Sequence, residues 1–234
     1  MLHALLVGLC VSAVDGGVTR APDAGSPRRL RVLVRLFNDG FLPPQANPET
    51  VELELLESFA QRHGMQLERV GVERFDELIP SLLEGRGDVI AAGLTVTPAR
   101  QKLVSFTRPT EVVDELLVAR EADAGVPSKV SDLAGATVHV AKGSAFVDTL
   151  EALQAKGIKL AIEQVEGSFP PDQLAWEVSR VVKRFTVVDS RRFEAIAHYT
   201  KGLVAPLTLS EGRPIAFATR PGDAVLRSQL DAFL

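Results

Sequence analysis

The chain has 234 residues, 46% of them hydrophobic, and 26 Lys+Arg set against 30 Asp+Glu give a formal net charge of −4. That balance supplies a core and no basic block for nucleic acid. Its single cysteine, Cys10, excludes an intrachain disulfide and a cysteine-based zinc or iron–sulfur centre. His3, His63, His139 and His198 stand far apart, so no metal or other cofactor is expected and the partner is a small molecule acting on a monomer.

Residues 2–14 are apolar and end in Val11-Ser12-Ala13, small residues of the kind a signal peptidase reads. A signal peptide over residues 1–13 and a periplasmic location are expected, with a buried N-terminal helix as the alternative. The stretch falls short of the ~20 residues that span a bilayer. Leu9 stands before Cys10 where a lipid anchor wants a small residue, so simple cleavage is favoured over lipidation. Residues 14–29, rich in Gly, Pro, Asp and Ala, read as a linker.

From residue 30 strands and helices alternate. Residues 30–34 predict a strand, 51–63 a helix stopped by Gly64, 65–72 a strand, 75–84 a helix, and 88–92 a strand between Gly87 and Gly93. This order calls for a mostly parallel sheet with helices on its faces. A second run follows: strand 115–120, a Gly/Pro break over 123–128, strand 137–141, helix 145–154, strand 159–165, a helix from Pro170-Pro171 to 182, strand 185–188, helix 191–199, strand 215–219 and a closing helix 223–234. The expected fold is α/β and two-lobed. Residues 30–114 with 220–234 form the first lobe and 115–219 the second, with hinges in 115–120 and 214–219. Open α/β sheets bind ligands at the C-terminal ends of their strands, so the site is expected in the cleft between lobes.

The run Gly93-Leu94-Thr95-Val96-Thr97-Pro98-Ala99-Arg100 is the most informative. Gly93 permits close backbone approach, Thr97-Pro98 reads as an N-cap and first helical residue, and Thr95 and Arg100 add a hydroxyl and a fork of donors. The run is a candidate carboxylate trap, although a capped helix with a solvated Arg100 accounts for the local pattern equally well. Gly143-Ser144-Ala145 is a matching glycine turn in the other lobe, whose N–H groups could meet the same anion. Lys142 precedes this turn and the extra glycines of a phosphate loop are missing. Asp189, at the end of a strand, is either a plain N-cap or the partner of an ammonium group. Phe37, Phe41 and Phe75 stand beside loops and could contact a solute side chain, though phenylalanine is more often core. No pairing of nucleophile and base stands out. Ser144 has no local base, Glu52, Glu54 and Glu57 read as the solvated face of a helix, and His139 as a half-buried structural residue.

The ordered series Arg74-Phe75-Asp76-Glu77-Leu78-Ile79-Pro80-Ser81-Leu82, Gly85, Asp88, the 93–100 run and Val104-Ser105-Phe106-Thr107 resembles the family 3 extracellular solute-binding proteins of polar amino acid uptake. The resemblance implies that Phe75, Gly93, Thr95 and Arg100 contact a ligand from the first lobe. Ser144 and Ala145 would contribute from the second, with Asp189 on the ammonium group. It also implies a non-catalytic partner of ABC transporter membrane subunits. The usual glycine-plus-aromatic entry to the first helix is replaced by Asn47-Pro48-Glu49-Thr50-Val51. The second lobe is similar to the solute-binding half of membrane-bound lytic transglycosylase F, which implies a regulatory domain recognising cell-wall fragments, with no counterpart here of that enzyme's catalytic glutamate. A third reading is a dehydratase of cyclic carboxylates on the same fold, for which Asp189 or Glu166 would supply the acid.

Overall fold

Valine and leucine alternate faces along β1 (Arg28–Arg35), where Leu30 and Val32 bury on one side and Leu33 on the other. The computed structural model describes residues 28–36, 42–43, 47–123, 126–165, 171–181 and 184–234. The expected signal peptide, most of the linker, Phe37, Phe41 and Glu166 lie outside them. β1 starts two residues ahead of the expected strand, inside the expected linker, because Arg28 and Arg29 pair with Met65 and Gln66 of β2.

After β1 come α1 (Pro48–Arg62), β2 (Met65–Val72), a 3-10 turn over Phe75–Glu77, α2 (Leu78–Leu83), β3 (Val89–Ile90), α3 (Pro98–Gln101) and β4 (Ser105–Phe106). The second half adds β5 (Glu111–Arg120), β6 (Thr137–Ala141), α4 (Ala145–Ala155), β7 (Ala161–Val165), α5 (Pro171–Arg180), β8 (Phe185–Asp189), α6 (Ser190–Tyr199), β9 (Leu203–Ile215), β10 (Ala218–Thr219) and α7 (Ala224–Phe233). These strands form two five-stranded sheets, ordered β2-β1-β3-β10-β4 and β7-β6-β8-β5-β9. Each is mixed. β2, β1 and β3 run parallel and β10 opposes both β3 and β4; β7, β6 and β8 run parallel and β5 opposes β8 and β9.

Each sheet buries both faces. In the first lobe Leu56 and Phe59 of α1 and Leu230 of α7 cover one side, and Leu78 and Leu82 of α2 the other. In the second, Leu150 of α4 packs with Leu117 and Val140 on one side, and Val178 and Ile196 of α5 and α6 with Val118 and Val188 on the other. Each such aliphatic side chain contributes roughly 1.5–3 kcal/mol by leaving water. Leu42, from the segment after β1, is buried in this last cluster of the second lobe, which ties the lobes together through an apolar contact.

The lobes are joined at residues 107–110 and 216–217, and the two crossings bond to each other through Thr107 N–H to Phe217 O at 3.0 Å and Thr110 N–H to Ile215 O at 2.8 Å. The first crossing falls ahead of the expected hinge at 115–120, since β5 starts at Glu111. The lobe boundary also moves. Ala218–Thr219, expected with the second lobe, pairs with β3 and β4 in the first sheet. The expected single strand over 215–219 is two strands, because β9 ends in one sheet and β10 begins in the other. β9 itself is thirteen residues long and had no counterpart in the sequence reading. Pro206, Gly212 and Pro214 disguise it, and its place at a sheet edge is where prolines are tolerated.

Candidate functional site

β3 ends at the floor of the interlobe cleft and the chain turns there through Gly93, whose φ of +62° suits glycine. Its N–H donates to Glu52 Oε2 at 2.9 Å. Glu52 is therefore not on a solvated face; it is 4% exposed, and burial raises its pKa to about 8 against the opposing pull of the Gly93 hydrogen bond. Helical period does separate it from Glu54 and Glu57, since Glu52 shares the buried face of Leu56 and Phe59 on α1; its charge masked that signal. Thr97 caps α3 as expected, its hydroxyl accepting from Arg100 N–H at 3.3 Å.

Arg100 is not a solvated charge. It is 8% exposed, and its guanidinium donates to Thr95 O at 2.7 Å and across the cleft to Gly143 O at 2.9 Å. The guanidinium carbon stands 5.3 Å from the centre of the Phe75 ring. Among the described residues no carboxylate lies within ion-pairing distance of it, and burial lowers its pKa to about 10.

In the second lobe β6 ends at Ala141 and Gly143 takes φ +75° where it meets the first lobe; a Cβ there would sit 2.8 Å from Asp76 Cβ. Ser144 starts α4 without capping it. Its hydroxyl is buried and has no hydrogen-bond partner. At the far end of the cleft β8 ends at Asp189, which does cap α6, accepting from Arg192 N–H at 2.7 Å.

Phe75, Gly93, Thr95, Ser144, Ala145 and Asp189 line one interlobe cavity. Arg100 does not; it lines the adjoining cleft, which shares Phe75 and Ser144 with the cavity. The cavity holds about 40 Å³, room for one or two waters, and the adjoining cleft about 440 Å³. The lobes are thus nearly shut around the expected site.

What shuts it was not read from the sequence. Arg192, 5% exposed, extends from α6 into the cavity and places its Nη2 3.1 Å from Glu49 Oε1 of the first lobe, its Nη1 3.9 Å from Asp172 Oδ1, and its Nε 3.4 Å from Asp189 Oδ2. Burial opposes its charge, but Glu49, Asp189 and Asp172 outweigh that and hold its pKa above the ordinary arginine value. Arg35, also buried, lines the same cavity, and burial lowers its pKa. Glu115 of β5, 1% exposed, accepts from Arg213 Nε at 3.1 Å and from the Thr149 hydroxyl. Burial raises its pKa despite both bonds. For Arg35, Glu49 and Arg192 the period was the available signal, since Arg35 shares a strand face with Leu33, Glu49 a helix face with Leu56 and Arg192 one with Ile196, but charges at strand ends and helix starts are common on surfaces.

Two mixed α/β sheets joined by a double crossing, with strand ends and buried charges facing an interlobe cavity, define a two-lobed ligand-binding protein. Residues 39–234 match the model of the bacterial extracellular solute-binding proteins, family 3, and the chain belongs to that family. It is similar to the arginine-bound form of ArgBP from T. maritima, with a TM-score of 0.71 and 27% identity over 88% of this chain and 94% of that one. Among curated proteins it is 32% identical over 186 residues to a membrane-bound lytic murein transglycosylase F of Desulfosudis oleivorans, covering 80% of this chain and 40% of that protein. A transglycosylase F of Ectopseudomonas mendocina is 30% identical over 88% of this chain and 42% of its own length. The chain thus spans about two fifths of these curated relatives. Family and fold assign it a solute-binding role among extracellular proteins, and the solved ArgBP neighbours are binding proteins rather than enzymes. Among the described residues no helix is long and apolar enough to cross a membrane.

Proposed function

We propose that the protein captures a small carboxylate-bearing solute, an amino acid or a peptide-like fragment, between its lobes. The observation that carries this is Arg100. It is a guanidinium buried at the junction of the lobes, whose hydrogen bonds among the described residues go to carbonyl oxygens, with the unpartnered Ser144 hydroxyl beside it in the same cleft. A buried cation without a counter-ion is costly unless an anion completes it. When the lobes part, the Gly143 bond breaks and the fork is released toward a carboxylate beside Thr95, and Ser144 and Ala145 complete the shell when the lobes close again. Phe75 supplies an apolar wall, and Asp189, whose Oδ2 stands 3.4 Å from Arg192 Nε without a hydrogen bond between them, keeps an oxygen for an α-ammonium group. The likeness to arginine-bound ArgBP supports an amino acid as the solute, and delivery to the membrane subunits of an ABC transporter is the proposed use.

The test is calorimetry of the intact protein against the amino acids and muropeptides, followed by Arg100→Ala. Loss of a buried charge partner is expected to weaken binding by about 2–5 kcal/mol. Affinity unchanged in Arg100→Ala would remove Arg100 as the anchor.

A second reading is favoured by the similarity to transglycosylase F over 80% of this chain. In it the same cleft serves a cell-wall enzyme as a sensing domain. Muropeptides bound in preference to free amino acids would select it.

A further inference from the structure

Arg192 is placed as a ligand would be. It enters the interlobe cavity from one lobe and meets carboxylates of three elements: Glu49 at the start of α1, Asp172 in the first turn of α5 and Asp189 at the end of β8. All three are buried or nearly so, with side chains 9%, 6% and 20% exposed. Three acids around one buried planar cation form a socket for a guanidinium. The socket spans the lobes, since Glu49 belongs to the first and Asp172 and Asp189 to the second.

We infer that Arg192 is a built-in occupant of an acidic socket in the solute cleft, and that it makes the protein reject solutes with cationic side chains. Its guanidinium already engages the carboxylates that such a side chain would seek, and Arg35 lies in the same cavity. An incoming arginine or lysine side chain would have to displace a covalently tethered group whose effective concentration is high. A neutral or acidic side chain has no need of the socket. Selectivity of this kind works by exclusion as much as by attraction. The selectivity rests on the solute-binding reading above; the socket itself does not.

Two measurements on the whole chain test it. In the first, Arg192→Ser is melted with and without methylguanidinium at about 10 mM, with methylammonium as control. The empty socket is expected to bind the planar cation, giving a saturable rise in Tm of about 3 °C or more in the variant, none in the unaltered protein and little with methylammonium. If the variant does not fold alone, refolding yield replaces Tm. Recovery with methylguanidinium and not with methylammonium supports the socket, and failure with both overturns it. In the second, the unaltered protein is titrated with L-arginine, L-lysine, L-glutamine and L-glutamate. Saturable binding of arginine or lysine overturns the exclusion, whereas binding confined to the uncharged or acidic amino acids supports it. Rescue of Arg192→Ser by methylguanidinium while neither amino acids nor muropeptides bind the unaltered chain would uphold the socket and sink the solute reading instead.

Discussion

The two ends of the cleft each hold a buried arginine, and their surroundings are opposite. Arg100 faces the carbonyls of Thr95 and Gly143, and Arg192 faces the carboxylates of Glu49, Asp172 and Asp189. Both bridge the lobes, so both favour the shut state. A carbonyl offers a dipole and leaves the guanidinium with net charge, which is why burial drags the pKa of Arg100 down to about 10. Carboxylates supply full counter-charge and push the pKa of Arg192 the other way. The same side chain is left with an unneutralised charge in one place, the proposed receptor for an anion, and is a neutralised cation in the other. Neutralisation, rather than burial or hydrogen bonding, tells the two apart.

The sharpest way to break this contrast is to remove each charge while keeping side-chain length. Arg192→Met leaves three acids facing one another and is expected to cost about 3–5 kcal/mol in urea denaturation. Arg100→Met strands only carbonyls and is expected to cost about 1–3 kcal/mol. Equal losses would show that the partners do not set the difference. Glu52, at the Arg192 end, gives a pH test. Its folded pKa of about 8 lies above the 4.5 of an unperturbed glutamate. The unfolded chain therefore gives up this proton from about pH 4.5 upward while the folded chain keeps it to about pH 8. Stability falls as pH rises through that window, by on the order of a few kcal/mol. Glu52→Gln has no such proton and should flatten the difference in melting curves between pH 5 and 8; identical pH profiles for the two proteins would refute the buried acid. Gly143→Ala probes the Arg100 end alone. With φ at +75° and a Cβ 2.8 Å from that of Asp76, the change is expected to disfavour the shut form by about 1–3 kcal/mol. Small-angle scattering should show a larger radius of gyration for the ligand-free variant.

Much of the site was legible because it lies on strand-to-helix turns. Gly93, Thr97-Pro98 and Gly143-Ser144 are local signals for a backbone that must turn tightly and start a helix, and the structure places them at the cleft as capped or left-handed residues. Asp189 is the cap of α6 by that same logic, and its acid also meets Arg192. Arg192, Glu49, Glu52 and Glu115 carry no turn or cap signal of that kind. Their period does point inward, Glu49 and Glu52 with Leu56 and Phe59, Glu115 with Val113 and Leu117, and Arg192 with Ile196, but a charged side chain argues for solvent, and the covering lobe or strand decides between the two. β9 was hidden for a related reason, since its prolines are acceptable only at the sheet edge it occupies.

Hydrophobic alternation and glycine turns are properties of neighbours in the chain. They were enough to define two α/β lobes, the capped turns at their strand ends and a cleft between them. Which charges face each other across that cleft depends on residues up to 143 positions apart, as in the Glu49–Arg192 pair. That matching arises only when the two sheets are set against each other at the double crossing, because the Coulomb and desolvation energies that decide a buried charge are fixed by distance and dielectric rather than by sequence order.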